Sequence, residues 1–146
     1  MDGLHNIKLI TLFIFGVVGS GISYLLGGWD IPLKALCFFM VTDYITGLIV
    51  AGIFRKSKKT KTGGLSSKVG WKGIAKKAGI LFVVIMGTIL DLLTGQNCAR
   101  NAAILFYIGN EGISILENLG YMGVKLPSFI RRALDAFVEK GEEGNT

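Results

Sequence analysis

Four carboxylates lie inside long apolar stretches of this sequence, where acids are rare: Asp43, Asp91, Glu111 and Glu117. Removed from water, a carboxyl group either takes up a proton and hydrogen-bonds between helices, or stays ionised beside an aqueous path. No Lys or Arg lies in the interior of these stretches. The sequence therefore predicts acids without a cationic partner at membrane depth, with interhelical bonding and an aqueous path as the alternatives.

Nucleophilic and metal chemistry have little support in the sequence. His5 is the only histidine, and Cys37 and Cys98 are scattered far from it, whereas a zinc site needs clustered His and Cys ligands. We therefore predict no catalytic residues, no cofactor, no metal and no enzymatic activity. The two thiols are expected to be free, and an extracytoplasmic disulfide is the alternative.

The elements that must position the acids are predicted to be transmembrane helices. The 146 residues are 51% hydrophobic and 18% charged, with a mean hydropathy of +0.54, whereas an average soluble domain is about 25% charged. Because about 20 helical residues cross the hydrocarbon core, we predict an all-α integral membrane protein with one membrane domain, residues 1–140. Its predicted spans are about residues 9–29, 35–54, 78–97 and 101–121.

The fourth span, residues 101–121, is the weakest of the four. Its apolar residues must offset both Glu111 and Glu117, and each acid costs about 3 kcal/mol at the centre of a membrane helix. Helical spacing places Glu111, Ser114 and Asn118 on one polar face. Four spans are therefore expected if neighbouring helices or water cover this face, and three spans if the segment lies flat at the interface.

Nine of the sixteen Lys and Arg residues fall between residues 55 and 77, a basic segment that contains no acid. Clustered Lys and Arg mark cytoplasmic loops of membrane proteins, and each contributes about 1 kcal/mol to binding an anionic membrane surface. We predict a lipid-binding cytoplasmic segment and no nucleic-acid binding, which places the N-terminus, and with four spans the C-terminus, in the cytoplasm. The basic residues are Arg55, Lys56, Lys58, Lys59, Lys61, Lys68, Lys72, Lys76 and Lys77.

Two shorter regions have amphipathic patterns. Residues 65–77 alternate apolar and basic side chains, so a solvated loop and a surface-lying helix are both consistent with them. Residues 126–140 repeat apolar side chains at helical spacing, with Pro127 in the first turn. They predict an amphipathic helix at the membrane interface, followed by a disordered tail, residues 141–146.

The chain resembles the phage lysis and toxin-secretion holins (phage holin family 4) over about residues 35–135. Three groups of residues, in this order and spacing, carry the resemblance. They are Asp43-Tyr44-Ile45-Thr46-Gly47; then Leu65-Ser66-Ser67-Lys68 with Gly73-Ile74 and Lys76-Lys77; then Asn110-Glu111, Ser114-Ile115, Glu117-Asn118, Gly120, Gly123 and Leu126-Pro127.

The resemblance implies a protein that oligomerises with itself in the bacterial cytoplasmic membrane. Its lesions or pores would release a cell-wall hydrolase, and so lyse the host of a phage, or would release a toxin. Asp43, Gly47, the face with Glu111 and Glu117, and Pro127 would be the positions whose change most affects assembly. The full set of pore or helix-packing candidates is Asp43, Thr46, Gly47, Asp91, Glu111, Ser114, Glu117 and Asn118.

Two other functions are compatible with the sequence. A small oligomeric ion channel or proton-coupled transporter would use an intramembrane carboxylate. A membrane-anchored regulator of another holin would present the basic segment and the terminal helix to its partner.

Overall fold

The computed structural model describes residues 2–143, with side chains from residue 4 onward, and this part of the chain forms five α-helices. A π-helical turn, Val50–Phe54, extends the second helix by five residues. The all-helical membrane fold predicted from the sequence is confirmed. The helices are α1 (Asp2–Leu25), α2 (Ile31–Ile49), α3 (Ser67–Thr94), α4 (Ala99–Tyr121) and α5 (Ser128–Glu143).

Three segments of the described chain are long and apolar enough to cross a membrane: Leu4–Leu25, Ile31–Phe54 and Ser67–Thr94. They correspond to the first three predicted spans. α4 has the length of a span, at 23 residues, but its composition does not place it among the three. The four-span topology therefore stays a prediction.

Local sequence fixes the ends of α2 and α3. The carboxylate of Asp30 accepts a hydrogen bond from the Leu33 N–H at 3.1 Å, so α2 starts four residues before the predicted window. α3 ends at Gly95, whose positive φ of 68° gives the left-handed turn that commonly stops a helix. Residues 67–77 are helical, which excludes a solvated loop, but they continue directly into the third span and do not form a separate helix.

α4 is the central helix of the bundle. It packs against α2, α3 and α5, whereas α2 and α3 touch each other little. Arg100 contacts Asp30 at the start of α2, and Asn118 contacts Thr46 further along, so α4 runs parallel to α2 and antiparallel to α3. The apolar core between these three helices contains Leu26, Leu33, Leu36, Met40, Ile80, Val84, Ile104 and Ile108.

The outer faces of the first three helices are apolar and exposed. α1 is unburied along its whole candidate span and packs only against α3 among the described helices. Phe38 of α2 and Phe82 of α3 are two-thirds exposed, at 67% and 66%. Surfaces of this kind suit contact with lipid chains, where apolar exposure has no hydrophobic cost.

α5 packs antiparallel along α4 and touches no other described helix. Leu134 and Val138 lie beside Gly109, and Gly141 lies beside Phe106. The contact extends into the predicted tail, because residues 141–143 belong to α5 and Gly141 is buried. The expectation of a disordered tail is therefore wrong for residues 141–143, and residues 144–146 lie outside the described residues.

Substituting Gly109 with alanine is expected to push α5 away from α4. An added Cβ would lie 2.8 Å from the Leu134 carbonyl oxygen and 3.0 Å from the Val138 nitrogen, so the backbone of α5 must move. Overpacking of this kind costs about 1–3 kcal/mol. Faster tryptic cleavage after Arg131 and Arg132 in detergent micelles would report the released helix.

The matched control is Gly120→Ala. Gly120 lies on the same helix, and an added Cβ there meets no atom within 4 Å. Alanine also favours helix by about 1 kcal/mol over glycine. Equal cleavage rates for the two variants would contradict the steric role of Gly109.

Candidate functional site

An acid-lysine cluster of three residues, Asp43, Lys77 and Glu111, joins α2, α3 and α4. The Lys77 ammonium donates to Asp43 Oδ2 at 2.8 Å and to Glu111 Oε2. The Lys77 side chain is 15% exposed and that of Glu111 only 2% exposed. One cation thus bridges two carboxylates in the interior of the bundle, and the exposed Lys76 ammonium lies 3.9 Å from Glu111.

The prediction that these acids lack a cationic partner is wrong for Asp43 and Glu111. Lys77 lies one residue before the third predicted span and was assigned to a cytoplasmic loop. Because α3 continues unbroken through this position, the long lysine side chain is held against the helices that carry the two acids. The third predicted span begins only after the basic segment, so the hydropathy analysis separated Lys77 from its partners.

Asn118 and Thr46 extend the cluster towards the end of α4. The Asn118 side-chain amide donates to Thr46 Oγ1 at 3.0 Å and lies 3.4 Å from Asp43 Oδ1. Gly47 lies beside this contact, and a Cβ added there would lie 3.8 Å from the Asn118 amide nitrogen, an ordinary van der Waals distance. The structure brings Asp43, Thr46, Gly47, Glu111 and Asn118 together, whereas helical spacing predicts only that Glu111, Ser114 and Asn118 share a face of α4.

Asp91 lies apart from that cluster, at the opposite end of the bundle. Its carboxylate accepts hydrogen bonds from the backbone N–H groups of Cys98, Ala99 and Arg100 at 2.8–3.1 Å. These groups form the exposed N-terminus of α4, which needs acceptors and attracts negative charge. The structural role of Asp91 is therefore to cap α4 from the preceding helix.

An arginine clamp, formed by Arg100 and Asp30, closes the same end of the bundle. The guanidinium donates to both Asp30 carboxylate oxygens, at 2.8 and 2.9 Å, and to the Leu26 carbonyl at 2.5 Å. Arg100 is 8% exposed. Its hydrogen bonds lower the pKa of the Asp30 carboxyl below the ordinary value, because they favour the ionised form.

Arg100 and Asp30 were not selected from the sequence, because both lie in short polar connections between predicted spans. Their pairing joins residues 70 positions apart, and no local spacing reveals it. The glycine at position 27 was the local sequence signal of this contact. In the structure its φ of 77° is a left-handed conformation, and an added Cβ would lie 2.6 Å from Arg100 Nε. Glycine at this position lets the arginine reach the backbone.

The other end of the bundle contains a cavity of about 380 Å³, here called the lysine vestibule. It lies between the second half of α2, the loop that follows α2, the first turns of α3 and the end of α4. Glu117, which is exposed, and Ser114 line it. Of the nine predicted basic residues, Lys58, Lys59, Lys72, Lys76 and Lys77 line the vestibule, whereas Arg55, Lys56, Lys61 and Lys68 do not.

The cysteine and histidine side chains form no disulfide and no metal site in the described part of the chain. Cys37 and Cys98 are free thiols, in agreement with the expectation from sequence. His5 is exposed. Within residues 2–143, no group of three His, Cys, Asp or Glu residues is arranged to hold a metal ion.

The geometry therefore indicates two roles for these residues: they pair buried charges, and they hold the helices together. Every buried side-chain polar atom among the described residues has a hydrogen-bond partner. The buried charges are paired across α2, α3 and α4, and a polar cavity lies next to them. A helix bundle of this design can hold polar groups at membrane depth without exposing them to lipid.

Comparison with known proteins adds several close relatives. The bacteriophage holin family matches residues 20–139. An uncharacterised protein of Listeria monocytogenes is 43% identical over 88% of this chain and 89% of its own length. An uncharacterised 14.9 kDa protein of Clostridium perfringens is 39% identical over 87% of this chain and 93% of its own.

A probable holin of Bacillus phage phi105 is 38% identical over 67% of both chains. No solved structure matches the chain.

Proposed function

This chain belongs to the bacteriophage holin family, and we propose that it oligomerises in the bacterial cytoplasmic membrane and forms lesions through which a cell-wall hydrolase or toxin leaves the cell. The membrane location follows from the family and from three helices of spanning length. The observation that carries the further proposal is the position of α5, a charged helix lying along the central helix α4.

The charged face of α5 needs water. All seven of its acidic and basic side chains are exposed in the single chain. An Asp, Lys or Arg side chain costs about 2.5–3.5 kcal/mol at the centre of a lipid bilayer. These residues are Arg131, Arg132, Asp135, Glu139, Lys140, Glu142 and Glu143.

We propose that α4 is a fourth span. It starts beside the N-terminus of α2 and runs parallel to it, through the contacts of Arg100 with Asp30 and of Asn118 with Thr46. Pairing with Lys77 removes much of the insertion cost that Glu111 would otherwise impose. With α4 at membrane depth, α5 docked along it reaches the same depth.

A ring of copies reconciles these two requirements. The apolar faces of α1, α2 and α3 would contact lipid, and the charged faces of α5 would surround a water-filled lumen. Before assembly, α5 would lie at the cytoplasmic interface, as its amphipathic pattern predicts. Docking of α5 on α4 then accompanies the opening of the lesion.

Co-expression with an endolysin that has no export signal tests the proposal. Wild-type chain is expected to halt growth abruptly after a delay, with turbidity and membrane potential falling together, and lysis is expected only when both proteins are present. Continued growth with intact potential would reject the holin function and favour the transporter or the regulator.

Gly109→Ala and Gly120→Ala separate the role of α5 from holin activity itself. Gly109→Ala is expected to insert but to delay or abolish lysis, since its Cβ obstructs docking of α5. Gly120→Ala should lyse cells as the wild type does. If Gly109→Ala lyses cells as promptly, the lumen-lining role of α5 is rejected while the holin function stands.

A further inference from the structure

The lysine vestibule carries more positive charge than the bundle neutralises. Lys77 is committed to Asp43 and Glu111, and Lys58 lies over the Tyr121 ring, 5.2 Å from its centroid. Lys59 and Lys72 also line the cavity, yet neither makes an ion pair within the described residues. The cavity thus presents two ammonium groups that are not held in ion pairs to an incoming anion.

The N-terminus of α3 adds backbone donors to the same cavity. Ser66 is the N-cap of this 28-residue helix, but its side chain makes no capping hydrogen bond. The first N–H groups of α3 therefore lack a side-chain acceptor, and Ser66 and Val69 both line the vestibule. Helix N-termini and lysine ammonium groups both bind phosphate groups in proteins.

The length of the helix beside the cavity places the loop side of the cavity near the level of phospholipid headgroups. The apolar segment Ile31–Phe54 has 24 residues, or about 36 Å of helix, against a hydrocarbon core of about 30 Å. The segment therefore reaches the membrane surface before the loop that forms the cavity begins. Leu48 and Leu65, which line the wall, are 39% and 64% exposed and could contact an acyl chain.

We propose that the lysine vestibule binds the phosphate group of an anionic phospholipid, with Lys59, Lys72 and the first turn of α3 as its ligands. This differs from general attraction of a basic loop to a charged surface, because it assigns the contact to particular residues around one cavity. Basic pockets between membrane helices are known to hold such headgroups.

The test uses the purified full chain in nanodiscs of phosphatidylcholine, with and without an equal part of phosphatidylglycerol. Retention of phosphatidylglycerol is measured by native mass spectrometry after release from the discs. The variant Lys59→Gln/Lys72→Gln removes two vestibule charges. The control Lys56→Gln/Lys61→Gln removes the same amount of charge from the loop that follows α2, at residues that do not line the cavity.

The vestibule variant is expected to retain phosphatidylglycerol about tenfold less than the wild type, while the control stays within about twofold. Equal losses in both variants, or no loss in either, would overturn the site. Circular dichroism of each variant checks that the helices are intact, and all four substituted side chains are exposed.

A further arm distinguishes the lipid from a free anion. Millimolar inorganic phosphate is added to the chain in discs of phosphatidylcholine alone, and the thermal unfolding midpoint is followed. The proposal expects phosphatidylglycerol to raise the midpoint more than phosphate does. If inorganic phosphate raises the midpoint fully and phosphatidylglycerol adds nothing, the lipid assignment is overturned.

Discussion

Replacing Lys77 with methionine is expected to destabilise the bundle by about 3–5 kcal/mol, because it leaves two buried carboxylates without their cation. Asp43 and Glu111 have side chains that are only 10% and 2% exposed, so water replaces the lost contact poorly. Methionine keeps the length and the apolar stem of lysine. Unfolding in detergent micelles, followed by circular dichroism during titration with a denaturing detergent, measures the loss.

Two further variants test the cause of this loss. Lys76→Met removes a neighbouring charge whose side chain is 71% exposed and lies 3.9 Å from Glu111, and it should cost less than about 1 kcal/mol. The triple variant Lys77→Met/Asp43→Asn/Glu111→Gln removes every charge of the cluster and should recover most of the stability. A triple variant no more stable than Lys77→Met would show that packing of the lysine, and not charge pairing, holds the helices.

Replacing Arg100 with methionine is expected to destabilise the opposite end of the bundle by about 2–3 kcal/mol, the usual contribution of hydrogen bonds to a charged group. The variant loses both bonds to Asp30 and those to the Leu26 and Gly28 carbonyls. The Asp30 side chain is 43% exposed and can regain water, which keeps the cost below that of the acid-lysine cluster. The thermal unfolding midpoint provides the comparison.

The effect of Arg100 should depend on pH in one direction. The clamp lowers the pKa of Asp30, so its contribution is complete above the unfolded value of about 3.9 and declines as pH falls through the folded value. The difference in midpoint between wild type and Arg100→Met should therefore shrink on acidification from neutral pH. A difference that stays constant down to pH 3 would mean that the two backbone carbonyls, and not Asp30, account for the clamp.

Hydropathy and helical spacing predicted much of this fold. The apolar windows located α1, α2 and α3, although α1 begins 7 residues and α3 begins 11 residues before its window. The spacing of Glu111 and Asn118 predicted a polar face of α4, and this face meets α3 and α2. These features depend on residues close together in sequence. The composition of α4 alone could not decide whether this helix crosses the membrane. Its polar face is covered by α2 and α3, and this covering is not visible in the sequence of α4 itself.

The contacts between distant residues were beyond such reasoning. The pairing of Lys77 with Glu111 and of Arg100 with Asp30 arises only when three helices assemble. Asp91 was selected as a pore or helix-packing candidate, yet its partners are backbone groups, which no side-chain pattern reveals. The docking of α5 on α4 likewise depends on Gly109 and Gly141. The sequence around each glycine does not reveal its role, because the atoms it contacts belong to the opposing helix.

The cap that Asp91 provides for α4 has a consequence for biosynthesis. The acceptor belongs to α3, which leaves the ribosome before the N–H groups that it binds. By the time residues 98–100 emerge, the carboxylate is already in position to start the next helix and reverse the direction of the chain. We therefore expect α3 and α4 to enter the membrane as one hairpin, so that a weakly apolar helix is inserted together with a strongly apolar neighbour.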